Sequence, residues 1–171
     1  MALNFLKIAG ATFLVSGIYY LAMQYADGPT GIIRGGSFKT GELVLSPTDW
    51  SFLRGREKIE FQAFEPDTSR VVWFAVLDGR LYIISGYMNT ALGKIWKQWP
   101  GRLERDNRVV LRVDGKLYEQ RLRRLMAHPL LVDLMGIYAE KYGIRFAKGD
   151  HNILQTALID GDYWLYEVIR R

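Results

Sequence analysis

The stretch RVVWFAVLDGRLYIISG, residues 70–86, constrains the fold more than any other part of the chain. Asp-Gly between two apolar runs is the strongest short-range hairpin signal, because both turn positions need positive φ. A hairpin with one face in water alternates apolar and polar residues, and Leu81-Tyr82-Ile83-Ile84 does not. Both faces are therefore expected to be covered. The barrel interior takes one; a helix, a ligand or a second subunit must take the other.

The other elements follow from period and punctuation. KIEFQAFEP (58–66) sets Ile59, Phe61 and Ala63 against Glu60, Gln62 and Phe64, which is strand alternation. RVVLRVDGKLYEQRLRRL (108–125) is a second hairpin around Asp114-Gly115, with one face charged. ELVLSP reads as a short strand and SPTDWSFL as a turn or a single helical turn, with Thr48 or Asp49 as cap. TALGKIWKQWPGRLERD (90–106) is helix-like to Trp99, with Pro100-Gly101 as a breaker. In 128–143 a helix started by His128 or Pro129 carries Leu131, Leu134, Met135 and Tyr138 on one face and ends at Gly143. KGDHNIL reads as a loop, and DYWLYEVIRR (162–171) as a closing strand. Six or more antiparallel strands with interposed helices predict a mainly β, α+β domain built as a small barrel.

The amino terminus is a separate matter. After Lys7 no charge occurs from Ile8 to Tyr25, long enough for a helix to cross a bilayer core of about 30 Å. Residues 1–25 are thus expected to be a transmembrane anchor, 26–42 a glycine-rich linker and 43–171 the barrel domain. A cleaved signal peptide and a buried helix are the rival readings, but no clean small-x-small cleavage site precedes Asp27 and the apolar residues show no single face. The short N-terminal flank favours the bacterial inner membrane with the barrel on the periplasmic side.

Composition excludes several chemistries. With no cysteine there is no disulfide, thiolate nucleophile or Cys-ligated zinc, and the two histidines, His128 and His151, have no metal-ligand spacing. No Ser/His/Asp set or carboxylate pair emerges, so no catalytic residue is assigned. The net charge of +5 suits an anionic lipid surface or a phosphate-bearing ligand. From Lys94 to Arg124 ten Lys/Arg face four Asp/Glu, which reads as a solvated strand side, and no nucleic-acid partner is expected. Lys94, Lys97 and Arg102 with Trp96 and Trp99 form a possible phosphate-and-stacking set; the plainer reading is a solvated helix with buried tryptophans.

GGSFKTGE, DWSFL, VVWFAVLDGRLYIIS, a Lys/Trp-rich helix, RLERDNRVVLRVDGKLYEQRLRRL, YAEKYG and a terminal WLYEV, in that order, resemble the FMN-binding split-barrel superfamily. This is the pyridoxamine 5′-phosphate oxidase-like group, which includes deazaflavin-dependent nitroreductases. The resemblance spans roughly 35–171 and implies a six-stranded antiparallel split β-barrel with two or three helices. It further implies a homodimer with FMN, or a deazaflavin as second choice, in a cleft where the partner subunit and the isoalloxazine ring cover the first hairpin. The positions matching the phosphate site are Ser85, Asn89, Thr90, Lys94 and Lys97, with Arg70 and Trp73 beside the ring. The function implied is oxidoreduction of a small or lipid-soluble substrate such as a quinone. The alternative is a barrel without cofactor, serving as an accessory subunit of a membrane complex.

Overall fold

The computed structural model describes residues 2–86, 88–89, 99–143 and 149–171, with side chains from Thr12 onward. It is an α+β half-barrel, mainly antiparallel β. Eight strands run in the order β3-β2-β6-β7-β8-β5-β4, and β1 pairs off this path with β7. They are β1 (Glu42–Leu43), β2 (Ile59–Ala63), β3 (Thr68–Val72), β4 (Phe74–Leu77), β5 (Arg80–Gly86), β6 (Arg108–Val113), β7 (Lys116–Leu125) and β8 (Tyr163–Arg170). The helices are α1 (Ala2–Met23), α2 (Trp99–Leu103), α3 (Leu131–Tyr142) and α4 (His151–Ile159), with a single 3-10 turn at Ser51–Leu53.

The curvature follows from connectivity. β3 and β4 stand at opposite ends of the strand order, yet only Trp73 separates them in sequence. The sheet must therefore roll until its two ends meet across that one residue. This also corrects the expected count of six strands. The run from Arg70 to Leu77 is not one arm of a hairpin: it breaks at Trp73, so β3 pairs with β2 while β4 pairs with β5. Both Asp-Gly turns form as expected, with positive φ at Asp78 and Gly79 and at Asp114 and Gly115.

Two cores result. The interior holds Phe61, Val72, Phe74, Leu81, Ile83, Leu111, Leu122, Tyr166 and Trp99 among others. The opposite face of β4, β5 and β8, through Ala75, Tyr82, Ile84 and Leu165, packs on Leu131, Leu134, Met135 and Tyr138 of α3 and on Leu154 and Leu158 of α4. The second face of the doubly apolar hairpin is thus covered by the chain's own helices, not by a ring or a partner. Tyr138 seals this layer by donating its hydroxyl to the Tyr82 carbonyl at 2.8 Å.

Two local readings need correction. From His151 the KGDHNIL segment enters a helix and is not a loop: Asp150 accepts from the Ile153 N–H at 2.9 Å, and Leu154 and Leu158 are buried. Pro100 and Gly101 lie inside α2 and do not break a helix there. Whether 90–98 is helical lies outside the described residues. Among the described residues no helix is long and apolar enough to cross a membrane, so the structure lends the expected transmembrane anchor no support. The described part of α1 nevertheless stands exposed: Phe13, Leu14, Val15, Ile18 and Leu21 lie in the open.

Candidate functional site

The linker delivers the first component. Gly35 and Ser69 form an antiparallel bridge through two backbone hydrogen bonds of 3.0 Å, and the Ser69 hydroxyl donates to the Gly36 carbonyl at 2.6 Å. The fit is backbone on backbone: a Cβ on Gly35 would lie 1.8 Å from the Gly28 carbonyl oxygen. An antiparallel bridge at 35 and 69 sets the next residues, Arg34 and Arg70, opposite one another. Like charges placed so are destabilising unless something answers them.

α2 brings the third cation. Trp99 plugs the barrel end, edge-on to Phe61 at 5.2 Å and tilted against Tyr166 at 5.7 Å. The Arg70 guanidinium lies 5.9 Å from the Trp99 ring centroid, and Arg34 lies 5.4 Å from that of Tyr20 in α1. Burial first, then the charges of Arg102 and Arg34, pull Arg70 down to about 10, still protonated at neutral pH. Nε of Arg34, Nε of Arg70 and Nη1 of Arg102 are buried without a hydrogen-bond partner. No carboxylate among the described residues forms an ion pair with any of the three. Several other arginines are paired: Arg112 with Asp27 and Glu60, and Arg80 and Arg123 with Glu167.

Three guanidiniums thus carry orphaned buried nitrogens, and Arg70 lies beside an indole, donors of the kind an anion can satisfy. Buried polar groups of this kind are normally satisfied, and each left unmet costs about 1–3 kcal/mol. Phosphate is an anion that arginine meets with paired N–H donors. A flavin mononucleotide has both the phosphate and a ring.

The residues expected from sequence divide between places. Arg70 lies in the cluster. Ser85 faces the same end of the sheet, paired with Trp164, whose ring carries Arg124 at 3.7 Å; its hydroxyl is turned to the Met88 sulfur at 3.3 Å. Asn89 is spent on structure, donating to the Asp160 carbonyl at 3.0 Å and to Asp162 Oδ1 at 2.9 Å. Trp73 stacks on Tyr142 of α3, 5.0 Å between centroids, away from Trp99. Thr90, Lys94 and Lys97 lie outside the described residues. Arg34 is not among the positions expected from sequence, since nothing in GIIRGG signals its pairing with strand β3.

No family model matches this chain, and no curated protein matches it. Among solved structures it is similar to the conserved hypothetical protein Rv2991 of Mycobacterium tuberculosis, with 15% identity over 70% of this chain and 76% of that one and a TM-score of 0.47. HutZ, the heme storage protein of Vibrio cholerae, aligns at 10% identity over 70% and 85% of the two chains, with a TM-score of 0.46. A FAD-binding protein (mll6688) of Mesorhizobium loti aligns at 14% identity over 70% and 84%, with a TM-score of 0.39. Likenesses at this level leave the ligand to be argued from the chain's own side chains.

Proposed function

We propose that this chain binds a flavin at the capped barrel end, FMN first and a deazaflavin second, and uses it to reduce a small or lipid-soluble acceptor such as a quinone. The observation that carries this reading is the cluster of Arg34, Arg70 and Arg102 around Trp99, with its orphaned guanidinium nitrogens. A bound flavin would supply hydride or electron transfer. The protein's part is to hold the phosphate on the arginines and to keep water from the ring with Trp99 and the aromatic end of the core. The proposed assembly is a homodimer. α1, with its exposed Phe13, Leu14, Val15, Ile18 and Leu21, attaches it to a bacterial inner membrane, the barrel on the periplasmic side.

The spectrum of the full chain purified in mild detergent tests this. Flavin or deazaflavin absorbance that stays with the protein through gel filtration, before or after either cofactor is supplied, is the expected result; uptake of neither overturns the reading. One observation favours a second reading, a cofactor-free accessory subunit of a membrane complex: Asn89 is already committed to Asp160 and Asp162. Co-purification of stoichiometric membrane partners without chromophore would decide for it.

A further inference from the structure

Tyr20 belongs to two surfaces at once. It is part of the apolar helix α1, and its ring carries the Arg34 guanidinium, so the arginine cluster sits at the foot of that helix. α1 shows its apolar side chains to solvent from Phe13 to Leu21, and Tyr19, Tyr20 and Tyr25 gather at its C-terminal end. Aromatic rings at one end of an apolar helix mark the level of lipid headgroups. Positive charge is concentrated at that level. Besides the three arginines, Lys39 donates its ammonium to the Tyr25 carbonyl at 2.6 Å. Asp27, the acid nearest in sequence, is already held by Arg112 at 2.8 Å and by the Lys39 N–H at 2.7 Å. Cations without acids, beside exposed hydrocarbon, match an amphiphile with an anionic head.

We infer that Arg34, Arg70 and Arg102 also receive the phosphate of an anionic phospholipid whose chains lie along α1, so that headgroup and cofactor compete for one site. The inference rests on the reading that this cluster takes a phosphate, but not on the ring that follows it. One set of orphaned nitrogens cannot satisfy two phosphates together. A charged bilayer therefore lowers cofactor occupancy, and a neutral one does not. Helix and cluster share Tyr20, so a lipid lying along α1 has its head beside the cluster.

The test uses the full chain with phosphatidylcholine vesicles, with and without phosphatidylglycerol, followed by flotation and by FMN titration on the vesicles. Phosphatidylglycerol is expected to strengthen vesicle binding and weaken FMN binding. Arg34→Gln and Arg102→Gln are each expected to reduce the phosphatidylglycerol-dependent part about fivefold, the size of one basic residue's attraction to an anionic surface. Inorganic phosphate should displace the protein from charged vesicles in the same way. Arg34 lies on the linker outside the barrel core, so its variant keeps the test open if Arg102→Gln does not fold. Equal binding to neutral and charged vesicles, or vesicle binding indifferent to both substitutions, overturns the inference. If FMN binds nowhere while arginine-dependent phosphatidylglycerol binding persists, the flavin reading fails and this one stands. FMN affinity that ignores bilayer charge does the reverse.

Discussion

At the scale of single residues, the glycines and acids of the linker decide where Arg34 stands. Gly35 has no room for a side chain, since a Cβ would meet the Gly28 carbonyl carbon at 2.3 Å and its oxygen closer still. Gly35→Ala is expected to force the linker off β3 and to cost roughly 1–3 kcal/mol, the range for overpacking. A thermal melt checks the stability, and an FMN titration should show the affinity falling with it as Arg34 is displaced. Asp27 makes a second prediction. The Thr40 hydroxyl, then the Lys39 N–H and Arg112, hold its carboxyl down at about 2. A carboxylate whose pKa is lowered by folding stabilises the fold fully above its unfolded value, about 3.8, and the contribution fades as pH falls through about 2. The stability difference between the parent and Asp27→Asn should thus be constant near neutral pH and shrink below about pH 4. A difference that persists unchanged to pH 2 would remove Asp27 from this role.

At the scale of elements, stability depends on which surfaces cover which. Both faces of the β4–β5 hairpin are buried by α3, α4 and the interior. Truncating Leu154 in α4 should therefore cost about 2–5 kcal/mol, as for a buried leucine in a close-packed core. Asp150→Ala should cost about 0.5–2 kcal/mol through loss of the cap, read by denaturant unfolding. A loop at 149–159 would show neither loss.

Much of this level is legible in the sequence. Asp-Gly dipeptides announce both turns because only a short list of residues accepts two successive positive φ values. The alternation of 58–66 and the apolar face of 131–138 announce a strand and a helix. What is not legible has a common cause, which is dependence on distant partners. The break at Trp73 arises because the sheet must roll, and no residue near it forbids a continuous strand. α4 opens with Gly-Asp-His-Asn, a loop composition, and its helical state rests on the Asp150 cap and on burial against β8. For the site, Arg70 and Trp99 are visible as candidates, while the bridge that brings Arg34 opposite Arg70 joins residues 34 positions apart with no local mark.

At the scale of the whole molecule, charge is distributed by use. Glu167, buried between Arg80 and Arg123, and the Asp27–Arg112–Glu60 set answer their cations internally. The arginines at the capped end are left unanswered, at the junction of barrel, linker and exposed helix. An anion from outside, as proposed, would answer them. A dimer, if it forms as proposed, must leave that end open to the ligand. Light scattering of the detergent-purified chain, with and without FMN, should give twice the chain mass in both cases; a monomer in both would remove the homodimer from the account.

The central claim is that the three arginines hold a phosphate. Titrating the full chain with FMN and with riboflavin, which has the same ring and no phosphate, by quenching of flavin fluorescence tests it most directly. Charge-assisted hydrogen bonds are worth about 1.5–3 kcal/mol each, so FMN should bind at least about tenfold more tightly than riboflavin. Arg34→Gln and Arg102→Gln should narrow that gap while leaving riboflavin binding unchanged. Equal affinities for the two ligands, or a preference for FMN that survives both substitutions, would contradict it.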